Sequence, residues 1–144
     1  NPDRFKFPEA NIPAYGYSFS GLKTSVLYFV RDQTVLDPDF VSKNRNDICA
    51  SVQASIVRHL MKKLAKVVTD RKIKCIALAG GVSANSALRK AFHEFGSARK
   101  IQVCIPPFEY CTDNAAMIAM AGQFLYEKKQ FASLSTSPLA RYPI

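Results

Sequence analysis

The segment Cys75–Phe92 narrows most strongly the range of folds open to this chain. It reads CIALAGGVSANSALRKAF: a short apolar run, a pair of glycines, a polar turn and then a helical pattern. A second apolar run, Ile101–Ile105, stops at two prolines and is followed by another helical pattern. Short strands that alternate with helices are typical of layered structures in which helices cover the sheet. The spacing therefore predicts an α/β fold.

The clearest helical pattern precedes these strands. Its apolar positions repeat every four residues, at Ile48, Val52, Ile56, Leu60, Leu64 and Val68. This stripe predicts an amphipathic helix packed on one side. Asp37 and Pro38 suit its first turn, although the sequence leaves open whether the helix runs unbroken or kinks near residues 44–46. A separate helix is predicted from Leu22, after a short strand at Tyr17–Phe19.

Residues typical of turns and helix ends predict the bounds of the remaining elements. The segment Lys74–Leu78 is a predicted strand, and the next helix is predicted over about residues 83–95, with Gly96 as its left-handed cap. The last helix is predicted to begin at Thr112 or Asp113, because both residue types favour a helix N-terminus.

Length and composition indicate one folded domain. The chain has 144 residues, of which 48% are hydrophobic and 22% charged, as in ordinary globular proteins. Three prolines in residues 1–16 predict an extended lead-in. We expect the folded part to cover residues 17–130, and a coil-like or disordered tail to cover residues 131–144.

The formal net charge of +9 suits a polyanionic partner. The densest cations are Arg58, Lys62, Lys63, Lys66, Arg71, Lys72 and Lys74. Helices commonly solvate their outer face with such a cluster, and this is the more frequent explanation, so charge alone only leaves a nucleic-acid partner open.

The cysteine pattern and the lengths of the apolar runs indicate the cellular compartment in which the protein is expected. The four cysteines form no CxxC pair, which argues against a zinc ribbon. Cys75 and Cys104 lie in apolar runs, so we expect buried thiols in a reducing compartment rather than disulfides. The longest apolar runs, such as Cys75–Ala79, are too short to span a bilayer. We expect neither a membrane partner nor a secretory leader.

Two loops that end strands and open helices are the candidate site: the first loop is residues 79–85 and the second loop is residues 106–114. In open α/β sheets, ligands bind outside the carboxyl ends of strands. In the first loop, Gly80 and Gly81 let backbone approach a ligand, and the helix N-terminus suits phosphate. Asn85 adds an amide that can both donate and accept. The alternative is a tight turn in which Ser83 merely caps the helix.

The second loop offers a carboxylate. Asp113 is either a helix cap or a rigidly held metal ligand. His59 and His93 are predicted to be surface or edge residues, and no other residue completes a metal site. Lys23 is either a phosphate contact or an exposed lysine.

Four stretches resemble one family when taken together. They read YSFSGLKTSV, ICASVQASI, LAGGVSANSALR and PPFEYCTDNAAMIAMAG, in this order. They resemble the C-terminal part of the catalytic subunit of the universal tRNA threonylcarbamoyladenosine synthase, long labelled O-sialoglycoprotein endopeptidase or glycoprotease. The resemblance runs from about Asn1 to about Tyr126.

The resemblance implies a fold and an activity. The fold is actin-like, with two ribonuclease H-like lobes around a nucleotide cleft, and this chain supplies most of one lobe as a mixed sheet flanked by helices. The enzyme is an acyltransferase that moves a threonylcarbamoyl group from threonylcarbamoyl-adenylate to N6 of adenosine 37 in tRNAs that read ANN codons. The implied partners are tRNA, the adenylate and accessory protein subunits, and the implied location is the cytoplasm.

The resemblance also assigns residues. Asn85 matches the asparagine that contacts the adenylate, while Gly80 and Gly81 let the nucleotide lie close to the backbone. Asp113 matches a carboxylate ligand of the bound metal, iron or zinc. The paired metal-binding histidines of the family lie outside the matched part, so we expect an incomplete metal site and no transfer by this chain alone.

Two other functions stay open on the sequence. One is an actin-like nucleotide-binding scaffold without transfer chemistry. The other is the metalloendopeptidase of the old label, acting on sialoglycoproteins, although no HExxH motif accompanies Asp113.

Overall fold

The computed structural model describes residues 1–9 and 12–140, which form a mixed α/β structure that is mostly helical. The helices are α1 Ser20–Leu36, α2 Phe40–Arg71, α3 Ser86–Arg99 and α4 Ala115–Glu127; the strands are β1 Cys75–Ala77 and β2 Gln102–Cys104. Short 3-10 turns cover Gly81–Ala84 and Phe108–Tyr110. The predicted α/β class is confirmed.

The turn between α1 and α2 differs from the prediction. Asp37 lies just after α1, and its carboxylate accepts a hydrogen bond from the backbone N–H of Asp39 at 3.0 Å and pairs with Lys43 at 3.0 Å. The predicted cap at Asp37 is therefore wrong by two residues, since Asp39 is the cap and α2 begins at Phe40. The Asp37 carboxylate instead stabilises the connecting turn. From Phe40 onward α2 runs unbroken, and Asn44 donates to the Phe40 carbonyl oxygen at 2.9 Å inside its first turns.

The sheet in the described residues is a parallel pair. Cys75 lies opposite Gln102, and Ala77 lies opposite Cys104. The predicted mixed sheet is therefore not formed by the described residues, and the strand predicted at Tyr17–Phe19 is also absent from them.

The side chains of Tyr17 and Phe19 explain the missing strand. Their rings stack on each other and both meet the ring of His59, at centroid distances of 5.9 Å and 5.3 Å. The Tyr17 hydroxyl donates to the Leu60 carbonyl oxygen at 3.2 Å. Packing on α2 thus takes the place of strand pairing, and burial raises the pKa of Tyr17.

The core lies between α2, α3 and one face of the sheet. Its most buried members are Val68, Ile76, Leu88 and Phe92. The long apolar stripe predicted for α2 contributes Leu60, Leu64 and Val68 to this core and its border, so the predicted amphipathic packing is confirmed.

The predicted burial of Cys75 and Cys104 is wrong, although both are free thiols. Both are exposed, with their Sγ atoms 3.9 Å apart. The reason is the alternation of side chains along a strand: α2 and α3 cover the face that carries Ile76, and no described helix buries the opposite face. Cys111 is the buried cysteine, with 2% of its surface exposed.

Gly96 does not cap α3. The helix continues to Arg99 and ends at Lys100, which adopts the left-handed conformation with φ 55°. Gly96 instead lies inside α3 against β2, where an added Cβ would come within 2.1 Å of Val103 Cγ2. Close packing of helix on strand, rather than a turn, is what requires glycine there.

The lead-in packs on α1 and α2. Phe5 and Phe7 meet the ring of Phe29 at centroid distances of 5.0 Å and 5.5 Å. Glu9 accepts a hydrogen bond from Lys62 at 2.9 Å and lies 3.4 Å from the Arg58 guanidinium. Residues 1–9 contain no helix or strand, yet aromatic contacts and ion pairs hold them in place.

Every residue of α4 is exposed, although the helix is strongly apolar. Residues 131–140 follow it without helix or strand, and the last four positions of the predicted tail lie outside the described residues. None of the helices in the described part of the chain combines the length and hydropathy that a membrane crossing requires.

Candidate functional site

The two candidate loops leave the same edge of the sheet. Because β1 and β2 are parallel neighbours, their carboxyl ends lie side by side. The first loop follows β1 and leads into α3, and the second follows β2 and leads into α4. The structure therefore brings together the two segments that the sequence singled out.

The glycine pair has two different roles in the first loop. Gly80 adopts φ 81° and ψ 174°, a conformation that is essentially restricted to glycine. Gly81 begins the 3-10 turn, and its φ lies outside the left-handed region. A Cβ added at either position would meet no atom within 4 Å. The backbone of this turn therefore borders open space.

Asn85 caps α3. Its Oδ1 accepts a hydrogen bond from the Leu88 N–H at 3.0 Å, and its Nδ2 donates to Gln53 Oε1 at 3.0 Å. The alternative in which Ser83 caps the helix is therefore wrong, because Asn85 fills that position. An amide has two donors and two acceptor lone pairs, so one donor and one lone pair of Asn85 have no partner among the described residues.

Ser83 is the third residue of the 3-10 turn Gly81–Ala84. Its side chain is fully buried, and its Oγ has no hydrogen-bond partner among the described residues. Its carbonyl oxygen accepts from Arg89 Nη1 at 3.0 Å. The side chain of Arg89, in the helix that follows, therefore stabilises the 3-10 turn by a hydrogen bond to its backbone.

An apolar cleft opens beside Asn85. One cavity of about 450 Å³ lies between α1, α2 and the first loop, and an adjoining cavity of about 630 Å³ shares six lining residues with it: Val26, Val52, Ile56, Leu60, Val82 and Leu88. The smaller cavity is lined by Val26, Ile48, Cys49, Val52, Gln53, Ile56, Val57, Leu60, Val82, Asn85 and Leu88. Its walls are apolar, and its amides come from Gln53 and Asn85.

Asp113 stands free at the end of the second loop. It is exposed, and it has no hydrogen bond or ion pair with any other described residue. The helix cap is Asn114, whose Oδ1 accepts from the Met117 N–H at 3.0 Å. The interpretation of Asp113 as the cap is therefore wrong by one residue.

The residues present do not form a metal site by themselves. Among residues 1–9 and 12–140, no three histidine, cysteine, aspartate or glutamate side chains lie close enough to hold a metal ion. Asp113 offers a single carboxylate, whereas iron and zinc sites in proteins take several ligands.

The histidines differ from each other. His93 is exposed, as predicted, but His59 is only 4% exposed and the surface prediction for it is wrong. The rings of Tyr17 and Phe19 cover it, and its Nε2 has no partner in the described part of the chain. Contacts from a segment 40 residues earlier along the chain bury it, which the pattern within α2 does not show.

Much of the basic cluster holds the lead-in. Lys63 donates to the carbonyl oxygens of Ile12 and Ala14 in the lead-in, whereas Lys66 pairs with Asp70 at 2.8 Å within α2 itself. Together with the pairs that Arg58 and Lys62 form with Glu9, these contacts use cations that a polyanion would otherwise meet. Lys23 is exposed at the rim of the larger cavity.

Sequence reasoning missed Gln53, Arg89 and Cys111. Gln53 lies off the apolar stripe of α2, and Arg89 lies in the first turn of α3, where an arginine is ordinarily a solvated surface residue. The sequence carries no local signal for these roles, because Gln53 and Arg89 come to lie beside the glycine loop only when the helices pack.

Comparison with known proteins identifies the family. The model of the family described as tRNA N6-adenosine threonylcarbamoyltransferase matches residues 1–120. Proteins of that name from Cytophaga hutchinsonii and Riemerella anatipestifer are 51% and 52% identical to this chain over all of its 144 residues. The protein of that name from Thermosipho africanus is 49% identical over 128 residues, or 88% of the chain.

The chain belongs to this family. It spans 42% of the length of the first two relatives and 37% of the third. More than half of each relative therefore has no counterpart in this sequence.

Proposed function

We propose that this chain forms one wall of the adenylate site in a tRNA threonylcarbamoyltransferase. The observation that carries the proposal is the glycine turn after β1, which borders open space and stands next to an apolar cleft with Asn85 at its edge. Family membership supports the same assignment.

The cleft suits the base of a nucleotide. A volume of about 450 Å³ lies within the range of roughly 300–1,000 Å³ found for small-molecule pockets. Apolar walls from α1 and α2 favour the faces of a flat ring, and the amides of Gln53 and Asn85 offer polar contacts. Gly80 and Gly81 leave the backbone accessible to a sugar or phosphate, and the N-terminus of α3 favours negative charge.

The proposed reaction is acyl transfer to a tRNA adenosine. The N6 amine of adenosine 37 in tRNAs that read ANN codons attacks the carbamoyl carbon of threonylcarbamoyl-adenylate. A C–N bond forms, the bond from that carbon to the phosphate oxygen breaks, N6 loses a proton, and AMP leaves. The part assigned to this chain is to bind and orient the adenosine phosphate that departs.

Asp113 is proposed as one ligand of a divalent iron or zinc ion whose other ligands lie outside the described residues. Asp113 is exposed and forms no ion pair with residues 1–9 or 12–140, which leaves its carboxylate available for this. Such an ion supplies charge to polarise the adenylate. Because the residues present do not complete its coordination, the chain alone is expected to be inactive.

Further parts of the proposal follow from family membership. We assign the chain to an actin-like lobe, with the parallel pair as part of a larger sheet. We also propose tRNA and accessory protein subunits as partners in the cytoplasm. The charge of +9 is consistent with an RNA partner.

Calorimetric titration with AMP tests the proposal. In the full-length gene product, Asn85→Ala is expected to weaken AMP binding by about 10- to 150-fold, because a hydrogen bond to a charged ligand contributes about 1.5–3 kcal/mol. Asn114→Ala is the matched control, since Asn114 is also a helix cap but does not line the cleft. Equal affinities for all three proteins would refute the assignment. AMP binding without transfer to tRNA would instead favour the scaffold function.

A further inference from the structure

Arg89 joins the two strand-end loops. Its Nη1 donates to the Ser83 carbonyl oxygen at 3.0 Å, and its Nη2 donates to the Pro106 carbonyl oxygen at 2.8 Å. Ser83 belongs to the turn after β1, and Pro106 begins the loop after β2. One side chain therefore spans the two segments that carry Asn85 and Asp113.

The second loop encloses the guanidinium. The ring of Phe108 lies 4.3 Å from Arg89 Cζ, and Cys111 Sγ lies 3.6 Å from Nη1. Cys111 is 2% exposed, and its thiol donates to the Pro107 carbonyl oxygen at 3.4 Å. The second loop thus contacts the guanidinium through the Phe108 ring and the Cys111 thiol.

Only arginine fits these contacts. Its planar fork presents several donors in fixed directions, so it can serve two carbonyl oxygens and lie against an aromatic ring at once. Lysine carries the same charge as a single ammonium on a flexible stem and lacks this fork. Hydrogen bonds from a charged donor are also stronger than neutral ones, so the bridge is an effective constraint on two short loops.

We propose that Arg89 is a positioning residue that sets the distance between the loop of Asn85 and the loop of Asp113. The effect of Arg89 on substrate binding rests on the proposed function, whereas its effect on the arrangement of the two loops does not. Arg89 acts through the carbonyl groups of Ser83 and Pro106 and needs no contact with substrate.

Amide hydrogen exchange in the full-length gene product tests this role. The reporters in the second loop are the N–H groups of Tyr110 and Cys111, which bond to the carbonyl oxygens of Pro107 and Phe108 at 3.0 Å and 3.2 Å. In Arg89→Met we expect both to exchange at least about tenfold faster, because local opening no longer breaks charge-assisted hydrogen bonds. In Arg89→Lys, the exchange rates of both amides are expected to lie between those of the unaltered protein and those of Arg89→Met.

Arg99→Met is the matched control. Arg99 lies on the same helix, stacks on Phe95 at 5.2 Å and donates to Thr69 at 2.9 Å, but it is far from both loops. Its variant should leave the Tyr110 and Cys111 amides unchanged. Unchanged exchange of these amides in folded Arg89→Lys and Arg89→Met would overturn the proposal.

Chemical rescue separates positioning from general loss of packing. Methylguanidinium, added to Arg89→Ala at concentrations far below denaturing ones, should restore protection of Tyr110 and Cys111. Loops that stay deprotected would assign the loss to packing and overturn the proposal. An AMP titration of the same variants is read separately: if the unaltered protein does not bind AMP, the proposed function fails, while the exchange data still decide the role of Arg89.

Discussion

The side-chain amide of Asn85 donates a hydrogen bond to Gln53 Oε1 at 3.0 Å and so ties the cap of α3 to the middle of α2. The two residues lie 32 positions apart in the chain. Both line the smaller apolar cavity. The orientation of the amide proposed to meet the adenylate therefore depends on a helix that precedes the sheet.

Loss of the Gln53 acceptor should weaken the cap of α3. Gln53→Met is expected to lower the free energy of unfolding by about 1 kcal/mol, the typical contribution of one hydrogen bond. Gln53→Glu keeps an oxygen acceptor for Asn85 and should lose less. Urea titrations compare the three proteins, and equal midpoints for the two variants would show that this hydrogen bond has no role in stability.

Alanine at Gly80 and Gly81 should separate folding from binding. Gly80→Ala places a side chain at φ 81°, so we expect a loss of about 1–3 kcal/mol of stability from backbone strain. Gly81→Ala adds a methyl group that meets no protein atom within 4 Å, so the protein should fold normally but bind AMP more weakly. Thermal unfolding and AMP titration measure the two effects. Tight AMP binding by Gly81→Ala would place the nucleotide elsewhere.

Alanine at Gly96 should disturb the packing of α3 on β2. The added Cβ would lie 2.1 Å from Val103 Cγ2, and overpacking of this kind costs about 1–3 kcal/mol. Val103→Ala in the same chain removes the clashing group and should recover part of the loss. Gly122→Ala, in the exposed helix α4 where a Cβ meets nothing within 4 Å, is the control for the substitution itself. Double-mutant analysis of unfolding would contradict the prediction if the two losses simply added.

Acid should loosen the lead-in through Glu9. The hydrogen bond from Lys62, aided by the Arg58 charge, holds the pKa of Glu9 below its usual value of 4.5. A carboxyl group with a lowered pKa binds fewer protons in the folded state, so its contribution is present above pH 4.5 and is lost as the pH falls through the folded pKa. Stability measured against pH should show this loss, and Glu9→Gln should reduce it. If the pH dependence of stability is the same in Glu9→Gln, Glu9 does not cause the loss of stability in acid.

Local patterns predicted the elements well because their causes are local. The four-residue stripe of α2 and the apolar run of β1 reflect which face of each element is buried. Errors at the boundaries came from side chains with more than one use. Asp37 and Asp113 both resemble helix caps, but Asp37 stabilises a turn and Asn114 takes the cap of α4.

Distant contacts decided what the patterns left open. The burial of His59 depends on Tyr17 and Phe19 from the lead-in, and the exposure of Cys75 and Cys104 depends on which face of the sheet α2 and α3 cover. No periodicity within one element encodes its partner.

The amino-acid sequence by itself determined the α/β class, the order of the elements from α1 to α4, the family and the two loops that carry Gly80, Asn85 and Asp113, because each depends on spacing along the chain. Tertiary structure alone decided that Asn85 is held by Gln53 and that Arg89 links the loops through Ser83 and Pro106. Those contacts join residues that are brought together only when helices pack on a parallel sheet, since hydrogen bonds between side chains and distant carbonyl groups have no local sequence signature.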